Sequence, residues 1–256
     1  MRLEKQLLTR NDCYTEGRTI TPLGVMVHST GSNNPRVSRY VPGNEVLGYN
    51  TGGNHWDQPD VSKCVHAFVG KFGDGTVGTV QTLPWNRRGW HCASGKKGSG
   101  NNTHISFEIC EDGLEDEEYF AAVYREAVEL TAYLCKEYGF DPRGDGVVIC
   151  HQEGYQRGIA TNHGDVLHWF PKFGKTMDDF RTDVVQEMEG GERVTYEEWK
   201  AFMEQYKKEL AQQPATMPDL LEEAKTMGLT NGTSPRALVT REECAVMTRA
   251  AAKYKG

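Results

Sequence analysis

The sequence lacks an apolar run long enough to cross a bilayer, and its start, MRLEKQLLTRNDC, lacks the hydrophobic core of a signal peptide. It also lacks an excess of basic residues, because 29 Lys and Arg stand against 36 Asp and Glu. Nucleic-acid binding normally requires a basic surface, so this balance argues against a nucleic-acid partner. We therefore expect a protein that is synthesised in the cytoplasm without a signal peptide and inserts into no membrane.

The cysteines also lack a pattern. There are seven, an odd number, and no two form a CxxC pair. This argues against a disulfide framework and against a cysteine zinc knuckle. Cys110, Cys135 and Cys150 lie in apolar strand-like or helix-like runs, where a thiol usually packs as a small buried side chain.

What the sequence does contain is an alternation of strand and helix patterns. Apolar residues at steps of three and four predict a helix over 114–138. Short runs rich in β-branched residues predict strands at Gly24–Ser29, Ile105–Cys110 and Gly146–His151, and further strands at Val65–Val69 and Val77–Thr82. The alternation predicts an α/β domain built on one sheet.

A second domain is predicted after the pair Gly190-Gly191, which has the composition of a linker. Beyond it, apolar residues from Trp199 to Leu210 form one helical face, and further helices are predicted at Pro218–Met227 and from Thr240. We predict a catalytic domain over 1–189 and a small helical C-terminal domain over 190–256.

Three residues suggest a metal site. His28 and His151 each end a predicted strand, and Asp165 follows in a loop fourteen residues after His151. Strand ends that share one edge of a sheet bring distant residues together. Two imidazoles and one carboxylate are a common catalytic zinc set, because they leave the fourth position open for water. The alternative is that these histidines only satisfy local hydrogen bonds.

Glu108 lies in the middle of the apolar strand ISFEIC. Burying a carboxylate there is costly unless it has a partner. A general base beside a zinc-bound water is what amide hydrolysis requires, so Glu108 is the candidate base. The alternative is a salt-bridged glutamate on a half-exposed strand.

Five motifs follow one another between about Leu23 and Phe170: VMVHSTGS, CVHAFVG, GWHCASG, NNTHISFEI, and CHQEG with HGDVLHWF. In this order they resemble the zinc-dependent N-acetylmuramoyl-L-alanine amidases of the type-2 family, which share a fold with the peptidoglycan recognition proteins. The resemblance implies a central mixed β-sheet flanked by helices. It also implies cleavage of the amide between N-acetylmuramic acid and L-alanine in peptidoglycan. The missing signal peptide fits a phage or prophage endolysin that acts on the cell wall after release, and an autolysin stays open.

The resemblance assigns roles to individual residues. It implies that His28, His151 and Asp165 bind Zn²⁺ and that Glu108 is the base. His163 stands where the family usually has a lysine, and it is expected to donate to the oxyanion. Because the usual Asp-Pro-Gly is replaced by DVL at 165–167, His163 and His168 are rival third ligands.

His66 and His91, with the adjacent Trp90, match family positions that line the substrate cleft. Core packing of Trp90 and a hydrogen-bonded His91 is the alternative. Two other functions stay open for the whole chain. One is a binding module that recognises peptidoglycan without cutting it, and the other is a structural protein that holds no metal.

The C-terminal run GLTNGTSPRALVTREECAVMTR resembles a single S-layer homology repeat, through Gly228, Gly232, Pro235 and Thr240. Such modules bind cell-wall polymers. One copy is present, so the segment could instead form a homodimer, since a repeat buries its apolar face poorly without neighbours. A helical cap on the catalytic domain is the third interpretation.

Overall fold

The computed structural model describes residues 1–190, 196–239 and 241–253. The chain divides between residues 191 and 192 into two compact units. The first unit contains the strands β1 (Leu3–Lys5), β2 (Gly24–Ser29), β3 (Gly43–Asn44), β4 (Gly48–Tyr49), β5 (Ala67–Lys71), β6 (Val77–Gln81), β7 (His104–Ile109) and β8 (Val148–Cys150). Its helices are α1 (Asp12–Thr15), α2 (Glu117–Tyr138), α3 (His151–Arg157) and α4 (Met177–Met188).

Six of these strands form one sheet in the order β1-β6-β5-β7-β2-β8, while β3 and β4 pair separately. β5 and β6 are antiparallel, and the other neighbours in the sheet are parallel. The α/β fold with a central mixed sheet flanked by helices, predicted from the sequence, is therefore confirmed.

Helix α2 covers one face of the sheet. The core on that face joins Val25 and Val27 of β2 to apolar residues of α2, β7 and α4. Asp116 caps the start of α2 by accepting a hydrogen bond from the Tyr119 N–H, and Gly139 ends it with a φ of +69°. The helix therefore begins three residues later than its apolar pattern predicts, because the carboxylate of Asp116 accepts the Tyr119 N–H, one of the free N–H groups of the first turn.

The opposite face of the sheet carries the candidate site. Side chains alternate along a strand, so Met26 and His28 point away from the face that Val25 and Val27 occupy. Met26 packs there against Cys92, Ile149 and Ala160 in a small separate cluster. His28, at the carboxyl end of the same strand, therefore lies on the side of the sheet away from α2.

The second unit contains α5 (Tyr196–Gln212), α6 (Pro218–Thr226) and α7 (Arg241–Lys253). Thr240, which belongs to the S-layer-like pattern, and the second residue of the Gly190-Gly191 linker lie outside the described residues. The wall-binding and dimerisation roles of this unit stay predictions. No helix in the described ranges of either unit is long and apolar enough to cross a membrane.

Candidate metal centre

The sheet brings the candidate residues to one edge. β7, β2 and β8 are adjacent and parallel, so their carboxyl ends lie side by side. The register pairs His28 with Glu108, and it pairs Val27 with Cys150, the residue before His151. Residues far apart in the sequence thus meet where active sites of parallel sheets usually form.

His151 is the first residue of α3 rather than the last of a strand. The Cys150 N–H donates to the Glu153 carboxylate at 2.9 Å, which starts the helix. Arg181 of α4 forms an ion pair with the same carboxylate, with a distance of 3.0 Å between nitrogen and oxygen. These contacts fix the start of α3, the helix that carries His151.

Asp165 completes the group. Its φ is +42°, a left-handed conformation that Asp tolerates better than most residues, and such strain often marks a functional site. Its Oδ2 lies 2.8 Å from Nδ1 of His28 and 3.0 Å from Nδ1 of His151. Ligand atoms of the three residues all lie within 4.8 Å of one another. Two imidazole nitrogens and a carboxylate oxygen are a donor set that suits zinc, so the three residues could hold a metal ion.

Burial shapes the electrostatics of this group. It disfavours the charged form of Asp165, but the hydrogen bonds with His151 and His28 outweigh it and hold the pKa of this carboxyl below its ordinary range. Burial also lowers the pKa of His28, although Asp165 opposes the effect. Neutral imidazoles and an ionised carboxylate are the forms that bind metals.

Glu108 lies beside this group on β7. Its Oε2 is buried and has no hydrogen-bond partner among the described residues. Burial raises the pKa of Glu108 well above its usual range, and the nearby carboxylates of Asp165 and Glu111 raise it further. A buried carboxylate oxygen without a partner, next to three converging ligands, suits a group that accepts a proton from water.

The two rival ligands lie differently. His163 is exposed, with its ring centroid 4.7 Å from that of His151. His168 Nε2 lies 3.1 Å from Glu111 Oε1, which also accepts the Gly31 N–H. Asp165, rather than His163 or His168, therefore joins the two histidines in the metal-ligand group found among the described residues.

The expected cleft residues differ in accessibility. His66 is fully buried, with Nε2 2.7 Å from the Arg87 carbonyl oxygen and Nδ1 3.1 Å from Ser106 Oγ. Trp90 keeps 38% of its surface exposed. A substrate contact by His66 or Trp90 stays a prediction. Of the two side chains, only that of Trp90 is exposed.

His91 contacts a candidate ligand directly. Its ring Nδ1 lies 3.0 Å from Nε2 of His28, and its backbone N–H donates to Asn101 Oδ1 at 2.7 Å. Asn101 is fully buried, and its amide also donates to the Ala93 carbonyl at 2.8 Å. Sequence reasoning missed Asn101, although the polar pair in NNTH, just before an apolar strand, was a visible signal. A substrate contact by His91 stays a prediction.

Comparison with known proteins agrees with this architecture. A relative from Bacillus subtilis (strain 168), the N-acetylmuramoyl-L-alanine amidase CwlA, is 38% identical over 61 residues, which are 24% of this chain and 22% of CwlA. The match thus spans about a fifth of that relative. The hydrolase AmiA of Staphylococcus aureus, solved with its ligand, has a similar fold, with a TM-score of 0.55 at 18% identity over 73% of this chain and 83% of AmiA. A mutant of PlyL aligns with a TM-score of 0.51 at 22% identity over 72% of this chain and 98% of PlyL.

A family model adds the decisive match. The model described as N-acetylmuramoyl-L-alanine amidase matches residues 18–166, more than half of the chain. The match includes His28, Glu108, His151 and Asp165. The chain therefore belongs to the N-acetylmuramoyl-L-alanine amidase family.

Proposed function

We propose that this protein hydrolyses the amide between N-acetylmuramic acid and L-alanine in bacterial peptidoglycan, with Zn²⁺ held by His28, His151 and Asp165. The observation that carries the proposal is the convergence of these three ligands beside the unpartnered oxygen of Glu108. A zinc ion with three protein ligands polarises a carbonyl and makes water more acidic. The family membership supports this reaction class.

The residues around the ion have separate tasks. Glu108 removes the proton from the attacking water and delivers it to the leaving amine of L-alanine, which balances the hydrolysis. The exposed His163, beside His151, donates a hydrogen bond to the oxygen on which negative charge develops. A lysine would keep its charge at any physiological pH, whereas the charge of a histidine depends on pH.

The cellular role follows from the substrate. An enzyme that cuts this bond separates stem peptides from glycan strands and so weakens the cell wall. We propose that the chain acts as an endolysin-like lytic enzyme on the wall after release. The helical second unit is then either a wall-binding module or a surface through which two chains associate.

The test measures bound zinc by elemental analysis and released stem peptides by mass spectrometry, on purified peptidoglycan. We expect the wild type to hold about one zinc and to cut, Asp165→Ala to lose both properties, and Glu108→Ala to keep the metal without activity. His168→Ala serves as the matched control, since it removes a neighbouring histidine that lies outside the ligand group.

Two results would contradict the proposal. If Asp165→Ala keeps its zinc while His168→Ala loses it, the ligand assignment is wrong. If the wild type binds peptidoglycan and zinc yet releases no stem peptide, the chain is a recognition module of the same fold.

A further inference from the structure

Asn101 is a fully buried amide that has no task in the proposed reaction. Its Oδ1 accepts two backbone N–H groups, from His91 at 2.7 Å and from Cys92 at 3.2 Å. Its Nδ2 donates to the Ala93 carbonyl and to Ser99 Oγ, both at 2.8 Å. One side chain therefore binds three consecutive residues of the loop that carries His91.

This loop has an uncommon backbone conformation and packs closely on the sheet. Ala93, whose carbonyl Asn101 binds, has a φ of +53°, a left-handed conformation that is rare for a residue with a Cβ. A Cβ on Gly100 would lie 2.6 Å from Cε of Met26 and 3.0 Å from Sγ of Cys92. The loop thus lies directly against β2, and the buried amide holds its backbone at 91–93.

The first contact of this loop with the metal centre is through His28. Nδ1 of His28 faces Asp165 Oδ2 at 2.8 Å, and Nε2 of the same ring lies 3.0 Å from Nδ1 of His91. A histidine that binds a metal through Nδ1 carries its proton on Nε2, and His91 is the acceptor for that proton. The position of this acceptor depends on the His91 backbone, whose N–H is bound to Asn101.

The second contact is with His151. Nδ1 of His151 lies 3.0 Å from the same Asp165 oxygen, and its Nε2 lies 3.3 Å from Thr161 Oγ1. Thr161 donates to the Cys92 carbonyl through its N–H at 3.0 Å and through its hydroxyl at 3.4 Å. The Cys92 N–H donates in turn to Asn101 Oδ1. A series of hydrogen bonds through Thr161 and Cys92 therefore joins Nε2 of His151 to the same buried amide.

We propose that Asn101 is a positioning residue for both histidine ligands of the proposed zinc ion. By holding the backbone at 91–92, it places the two groups that accept the Nε2 protons of His28 and His151. Acceptors at these positions direct Nδ1 of each imidazole toward the metal and favour the tautomer that binds it. This inference rests on the proposed function, because it concerns the metal that the proposed reaction requires.

The test compares two neighbouring asparagines of one motif. Asn101→Leu keeps the approximate volume of the side chain and removes its hydrogen bonds. Asn102→Leu is the matched control, because Asn102 is exposed and its Oδ1 accepts a hydrogen bond from Arg88 instead. We expect Asn101→Leu to raise the zinc dissociation constant about tenfold or more, measured by competition with a chelating dye. Asn102→Leu should change it by less than about twofold.

A second control matches the loss of stability. Thr79→Val removes a buried hydrogen bond from the Thr79 hydroxyl to Glu126 at 2.7 Å. Thr79 lies on β6, which β5 separates from β7 and β2. Thr79→Val should lower the midpoint of urea unfolding of the zinc-free protein, as Asn101→Leu should, and yet leave the zinc affinity unchanged. An equal loss of zinc affinity in the two variants would leave Asn101 with a general stabilising role and overturn the proposal.

Proton exchange follows each histidine separately. In the zinc-loaded, ¹⁵N-labelled wild type, the Nε2 protons of His28 and His151 should exchange slowly with water, because each has an acceptor. Asn101→Leu should accelerate the exchange of both protons about tenfold or more. Thr161→Val keeps the shape of the side chain without Oγ1, so it should accelerate only the proton of His151. If Asn101→Leu does not fold, unchanged exchange at His151 in Thr161→Val would still overturn the proposal.

Two further results would overturn it: a wild-type zinc affinity in Asn101→Leu, or faster exchange of only one of the two protons in that variant. These measurements need no substrate, so they separate the positioning role from the reaction. If the wild type binds zinc but releases no stem peptide, and Asn101→Leu behaves as expected, the proposed hydrolysis fails and the positioning role stands. If the wild type cuts and Asn101→Leu binds zinc equally well, the hydrolysis stands and the positioning role fails.

Discussion

His91 Nδ1 lies 3.0 Å from His28 Nε2, on the side of the His28 ring away from Asp165. When His28 binds a metal through Nδ1, its proton must sit on Nε2, so His91 accepts the hydrogen bond. Burial lowers the pKa of His91 well below its usual range, which keeps the ring neutral and able to accept. Partners of this kind fix the direction and the tautomer of a metal-binding histidine.

Replacing His91 by Phe should therefore weaken zinc binding without removing a ligand. We expect the zinc dissociation constant, measured by competition with a chelating dye, to rise roughly tenfold to a hundredfold. His91→Asn keeps an acceptor near the position of Nδ1 and should retain most of the affinity. Trp90→Phe, at the exposed neighbour, is the control. Equal zinc affinity in the Phe and Asn variants would show that the contact does not position His28.

The sequence predicted the frame of this site better than its contacts. The strand over 24–29 has the predicted bounds, because its β-branched run ends in a clear change of composition. The contact of His91 with His28 depends on how the loop after Gly89 folds back, and no local pattern encodes that. The contacts of the Asp165 carboxylate with His28 and His151, and the left-handed backbone of Asp165, are equally invisible in a sequence, because they depend on residues far away along the chain.

The capping of α3 gives a stability prediction. Glu153 accepts the Cys150 N–H and pairs with Arg181, so Glu153→Ala removes a helix cap and leaves a partly buried guanidinium with fewer partners. We expect the free energy of unfolding, measured in urea with a chelator present, to fall by about 1–3 kcal/mol. Gln152→Ala, one residue earlier on the same helix, should change it by less than about 0.5 kcal/mol. Equal losses in the two variants would contradict the capping role.

His66 gives a prediction about pH. Burial lowers its pKa from 6.5 to about 4, and hydrogen bonds with the Arg87 carbonyl and Ser106 only partly oppose this. The unfolded chain therefore takes up a proton as the pH falls below about 6.5 while the folded chain does not, so stability is present above that pH and is lost toward pH 4. One such group contributes a slope of up to about 1.4 kcal/mol per pH unit. The free energy of unfolding of His66→Gln should depend less steeply on pH between 6.5 and 4. Plots of this free energy against pH that run parallel for the variant and the wild type would refute this assignment.

Zinc should stabilise the fold through Asp165. A ligand that binds only the folded state at a hundred times its dissociation constant raises the free energy of unfolding by about 2.7 kcal/mol. Asp165→Asn keeps a residue that tolerates the φ of +42° but loses the charge that completes the ligand set. In urea unfolding, the same zinc concentration should therefore raise the free energy of unfolding of this variant far less than that of the wild type. The His168 ring contacts Glu111 rather than the ligand group, so zinc should raise the free energy of unfolding of His168→Ala as much as that of the wild type. If zinc raises the free energy of unfolding of Asp165→Asn by the full amount and that of His168→Ala not at all, His168 would be the third ligand.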